Sequence, residues 1–155
     1  MSVLAAALLL AHPVSAQQAG TFWEAGVHTT ATAVVDGPVG LVAGPRLGVR
    51  TLGSTRVAVS LGAGVRDGEG SARGTLSLEY LLAPRAAGRL GVYVGGGLVG
   101  VLGNGNGGYL LAYLGAEQSP GRRGGWALEA GLGGGFRVRL AYHWRWLPRG
   151  WLAER

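Results

Sequence analysis

The chain has 155 residues, a length that favours one domain, and no cysteine, which excludes a disulfide framework and a thiolate metal site. Charged residues make up only 14% of it, where about 25% is usual for a soluble domain. The net charge of +6 is carried entirely by arginine, and nothing groups the arginines into a basic helix or an RNA-binding motif, so nucleic-acid binding is not expected.

The apolar run VLAAALLLA at 3–11 is too short to span a bilayer as a helix. Small residues at Val14, Ser15 and Ala16 follow it, so residues 1–16 read as a secretory signal peptide cut after Ala16. The alternative is a short buried N-terminal helix. The positive start usual in such leaders is missing, as a start assigned downstream of the natural one would leave it.

Beyond Ala16 the chain alternates with a period of two, the period of a β-strand. The first run, 21–33, sets Trp23, Ala25 and Val27 against Glu24, Gly26 and His28. The second, 39–52, sets Leu41, Leu47 and Val49 against Arg46, Gly48 and Arg50. Val57, Val59 and Leu61 oppose Arg56, Ser60 and Arg66 in 56–66, and Leu76, Leu78 and Tyr80 oppose Arg73, Ser77 and Glu79 in 72–82. The fifth run, 89–102, sets Val92, Val94 and Leu98 against Tyr93, Gly95 and Gly97, and the sixth sets Leu110 and Leu114 against Tyr109, Tyr113 and Glu117. Trp126, Leu128 and Leu132 oppose Glu129 in the seventh. The eighth, 137–146, sets Val138, Leu140, Tyr142, Trp144 and Trp146 against Arg137, Arg139, His143 and Arg145.

DGP, GST, DGEG, APRAAG, GNGNGG, SPGRRGG and GGG separate these runs as turns. Eight strands of about ten residues with hairpin-length turns predict an all-β fold, an up-and-down antiparallel eight-stranded barrel. The barrel spans 17–147, with 148–155 left as a short C-terminal tail.

Two barrels share this pattern. A soluble lipocalin-like barrel turns the apolar face inward, and a membrane barrel turns it outward to lipid. The polar face is mostly Gly, Ala, Ser and Thr with single Arg and Glu residues, which fits a narrow filled lumen better than a water-facing surface. Ten-residue runs match a tilted strand crossing the hydrocarbon layer. With both termini on one side, Trp23, Tyr80, Trp126, Trp144 and Trp146 fall at one level on the apolar face, as an aromatic girdle would.

On these residues the chain resembles the small eight-stranded outer-membrane barrels, OmpA-like and OmpX-like. The last strand carries the family's assembly pattern, with Arg139 as its polar residue and Trp144 and Trp146 as its aromatics; Ala141 stands where glycine is usual, and nine residues follow Trp146. The resemblance implies a bacterial outer-membrane location, outer-membrane lipids as surroundings and the insertion machinery as a partner through the last strand. A monomer is expected. The short outer loops argue against a protruding-sheet adhesin.

Within the lumen, Glu24, Glu79, Glu117 and Glu129 fall in the half nearer the termini, at depths comparable with Arg50, Arg56, His143 and Arg145. They are expected to form a Glu/Arg network that plugs the lower lumen, with a gated ion path as the alternative. Arg66, Arg73, Arg137 and Arg139 fall in the other half with no lumen glutamate, so they would form an electropositive mouth unless Asp67 and Glu69 in the neighbouring turn pair with them.

A lipid-modifying outer-membrane enzyme needs a nucleophile with an oriented base. His28, His143, Ser60 and Ser77 share the lumen face without a spacing that assembles one, so no catalytic residue is assigned. No cofactor or metal is expected. The GxGxxG matches at 95–100 and 103–108 lack a following helix, and the turns lack a calcium-ligating loop.

Overall fold

The computed structural model describes residues 20–51, 54–85, 89–103 and 106–147. Residues 1–16, read from the sequence as a signal peptide, and 148–155, read as a tail, lie outside the described residues. Eight strands follow in chain order: β1 (Thr21–Ala33), β2 (Val39–Thr51), β3 (Thr55–Arg66), β4 (Glu69–Leu81), β5 (Leu90–Gly103), β6 (Gly107–Gln118), β7 (Gly124–Leu132) and β8 (Phe136–Arg145). Each pairs antiparallel with its sequence neighbour, and β1 pairs with β8 from Glu24↔Arg145 to Ala33↔Phe136, which closes the sheet into a barrel. Closure gives every strand a neighbour on both sides. The backbone ladder runs on past β8, where the Trp146 amide donates to the Trp23 carbonyl at 3.0 Å.

The fourth strand starts three residues earlier than its alternation suggests, because the preceding turn is only two residues long. Asp67 (φ 50°) and Gly68 (φ 80°) both adopt positive φ, the geometry of a type I′ hairpin, so Arg66 and Glu69 are already register partners. The Asp67 carboxylate accepts a 3.0 Å bond from the Val39 amide. Asp67 therefore fastens its turn to β2.

Side chains alternate across the wall. Trp23, Val59, Leu76, Leu98, Leu114 and Leu140 are among the large apolar side chains exposed on the outside, while Arg50, Arg56, Glu117, Glu129 and Arg137 are fully buried within. The lipocalin-like orientation is thereby overturned: the apolar face is outside. The physical reason is volume, since long guanidinium side chains and two tyrosines fill a lumen otherwise walled by glycine and small residues.

Glycine is required where those tyrosines lie. Tyr93 and Gly115 are register partners, as are Gly95 and Tyr113, so each ring covers the glycine opposite it. A Cβ at either glycine would meet the tyrosine Oη at 2.6 Å. The two rings meet edge to face with centroids 6.3 Å apart. Val99, Val101 and Leu111 pack beside them as the apolar part of the lumen.

Candidate functional site

The lumen is the one place where this sequence concentrates chemistry. Its charged side chains come from all the strands except β5, each from an inward position of the alternation. Taken from the end where β1 starts and β8 stops, they form successive layers.

In the lowest layer, Glu24 and Glu117 sit among Arg50, Arg56 and Arg145. Arg56 Nη1 donates to Glu117 at 2.8 Å and to Glu24 at 3.1 Å. Arg50 Nη1 reaches Glu24 at 3.3 Å and Glu117 at 3.4 Å. Arg145 Nη2 donates to Glu117 at 3.1 Å, and its Nε lies 3.3 Å from Glu24. Arg50 also donates to the carbonyls of Pro84 and Pro120, in the turns after β4 and β6, and Arg145 donates to the Arg122 carbonyl at 3.2 Å. The turns at this end are thus tied into the ion-pair layer and lie across the barrel opening.

The middle layer is built on Glu79 and Glu129. Arg46 pairs with Glu79 and donates to Glu129 at 3.2 Å, linking the two carboxylates. Arg56 Nε donates to Glu79 at 2.5 Å, which joins this layer to the one below. The tyrosine hydroxyls complete it: Tyr113 donates to Glu79 at 2.5 Å and Tyr93 to Glu129 at 3.1 Å. Arg56 stacks over the Tyr93 ring at 4.8 Å and Arg137 over the Tyr113 ring at 5.1 Å.

Arg137 and Arg139 do not form a mouth. They are 0% and 1% exposed, and they engage a glutamate: Arg137 Nη2 donates to Glu129 at 2.5 Å, and Arg139 Nη1 lies 3.6 Å from the same carboxylate. The expectation that no lumen glutamate joins them is corrected. Glu129 and Arg139 are direct register partners across β7 and β8, a relation that depth counted along each strand separately does not reveal. Arg139 also donates to Thr30 and Ser60, each at 3.1 Å. Arg73 is likewise buried, donating to Thr32 Oγ1 at 2.9 Å and to the Gly133 carbonyl at 2.7 Å. Arg66 stands at the rim, half-buried.

His143 lies beside the network without a hydrogen bond to it. Its Nδ1 is 3.9 Å from Glu117, and neither ring nitrogen has a hydrogen-bond partner among the described residues. His28 hydrogen-bonds to Thr30 at 3.2 Å. Ser60 is taken by Arg139, and Ser77 donates to the Ala58 carbonyl and to Glu79. No group of three potential metal ligands occurs among the described residues.

Sequence reasoning missed Arg46, Tyr93 and Tyr113 as members of the network. All three have inward parity, and the two tyrosines are the largest side chains on an otherwise glycine-rich face, which is the signal that singles them out.

Outside, the five aromatics expected at one level are all exposed near the end where β1 starts and β8 stops. Trp23 and Trp146 are joined there by the backbone bond, and Tyr80 pairs with Thr55 at the start of β3. Tyr142 joins them, with its ring 5.0 Å from both Trp126 and Trp144.

No protein-family profile matches the chain, and no curated protein sequence matches it. Among solved structures, it is similar to the N-terminal β-barrel domain of Pseudomonas aeruginosa OprF, with a TM-score of 0.51 at 16% identity. The match covers 79% of this chain and 97% of that one. The resemblance to the small eight-stranded outer-membrane barrels therefore holds at the level of the fold.

Proposed function

We propose that the protein is a non-enzymatic outer-membrane barrel with a structural, envelope-supporting role, its lumen plugged by the Glu/Arg network. One observation carries the reading: an apolar outer wall encloses a lumen crossed by interlocked, fully buried ion pairs. A wall of exposed Leu and Val is unstable against water but suits lipid. A lumen whose four glutamates are each engaged by arginines, with prolyl carbonyls drawn in from the turns, supports a role without a through path.

Outer-membrane lipids are then its surroundings, and the Arg139–Trp146 pattern its signal to the insertion machinery. Location in a bacterial outer membrane follows from the same reading. No catalytic role is proposed, since the lumen serines and His28 are committed to other partners.

Planar-bilayer recording of the detergent-folded protein tests the plug. The expected result is no unitary conductance above background; reproducible channel events would replace the plug with an ion path. Mass spectrometry of lipid A from cells expressing the protein tests the absence of enzymatic activity. A modified species would establish the lipid-modifying alternative.

A further inference from the structure

The lumen does not balance its charge. Among the described residues, seven guanidiniums are buried inside the barrel against four carboxylates, an excess of three positive charges. The excess is concentrated above the middle layer, where Arg137 and Arg139 share one carboxylate, Glu129, which Arg46 also engages, while Arg73 donates to two neutral oxygens, the Thr32 hydroxyl and the Gly133 carbonyl. Buried charge without a counter-charge is strongly unfavourable.

The donors there are also incompletely used. Arg137 spends Nη2 on Glu129, but its Nε and Nη1 have no partner among the described residues. Arg73 spends both terminal nitrogens on Thr32 and Gly133, and its Nε has none. Arg73 lies in the field of Arg137, a like-charged neighbour rather than a partner. Beside them is a cavity of about 20 Å³ walled in part by Thr30, Thr32, Ser71 and Arg73. Thr32 is the register partner of Arg137, whose backbone therefore stands at the cavity's level, while its guanidinium is directed towards Glu129. That volume holds one water-sized particle. A neutral water would satisfy donors but leave the charge.

We propose that the upper lumen binds one small monovalent anion, chloride being the probe of choice, in the cavity against the Arg73 guanidinium, with Arg137 as the neighbouring, incompletely compensated charge. The site is independent of the plug: conductance decides the plug and does not bear on it.

The test uses the full-length protein folded in detergent. Unfolding is followed by gel mobility while sodium chloride replaces sodium gluconate at constant ionic strength. A single site binding only the folded state raises the folding constant about tenfold per tenfold chloride above the dissociation constant. Bromide should reproduce the effect, and crystals soaked in bromide should give an anomalous peak in the Thr32 cavity. Arg137→Gln should abolish the chloride response. Thr32→Glu supplies a carboxylate in the anion's place and should also abolish it while folding well in gluconate. Equal unfolding in chloride and gluconate, bromide peaks confined to the outer surface, or an undiminished response in both variants would overturn the site. If neither variant folds, the wild-type bromide map decides.

Discussion

At the scale of single residues, Glu117 and Glu129 do most to hold the lumen together. Glu117 faces Arg50, Arg56 and Arg145 at once. Buried ion pairs add little over well-packed apolar residues, but removing one partner strands the other charge in low dielectric. Glu117→Gln keeps the shape and removes the charge, so it is expected to lower the unfolding free energy by about 3–5 kcal/mol. Urea unfolding in detergent micelles measures this, with the exposed Glu69→Gln as a control whose midpoint should not move. A loss no greater than the control's would mean that the lumen charges are solvated. Tyr93→Phe isolates a smaller contribution, because it removes only the hydroxyl that donates to Glu129 at 3.1 Å. A bond to a charged acceptor contributes about 1.5–3 kcal/mol, and the same titration reads its loss.

At the scale of the strand, alternation decides which side chain meets which environment. Val59 lies mid-way along β3, outward, beside Leu47 of β2 and Leu76 of β4. If that face meets hydrocarbon, Val59→Arg should destabilise the protein by about 2–4 kcal/mol in phospholipid vesicles. An outward arginine near the wall's edge, as in Leu90→Arg, should lower stability by about 0–1 kcal/mol. Equal effects at both depths would argue against a membrane-embedded wall. This face was legible in the sequence because a period of two needs nothing beyond one strand. Register was not, because it is a relation between strands. Glu129 was placed with the lower charges and Arg139 with the upper ones, yet the pairing of β7 with β8 sets them side by side. Arg46 escaped for the same reason: only the closed barrel brings it between Glu79 of β4 and Glu129 of β7. The DGEG turn was misjudged on different grounds, since Glu69 and Gly70 look like turn residues until a two-residue I′ loop turns them into the start of β4.

At the scale of the whole barrel, the two ends of the outer wall differ. Trp23, Trp126, Trp144 and Trp146 stand exposed around the end where β1 starts and β8 stops, with Tyr80 and Tyr142. At the opposite end Phe136 is exposed at the start of β8, and no tryptophan lies there among the described residues. Indole rings favour the boundary between headgroups and acyl chains, where an apolar ring and a polar N–H are both accommodated. In a bilayer, one belt of four would define both the depth and the direction in which the barrel sits. Trp151 lies outside the described residues, so Trp151→Phe leaves only the belt to report. In vesicles of brominated phosphatidylcholine, bromines near the headgroup should quench the fluorescence of this variant more strongly than bromines deep in the chain. Emission should also be blue-shifted from that of the urea-unfolded chain, as expected for indoles withdrawn from water. If deep bromines quench more strongly, the tryptophans lie near the midplane and the belt does not mark an interface. If neither position quenches, the apolar wall is covered by something other than lipid.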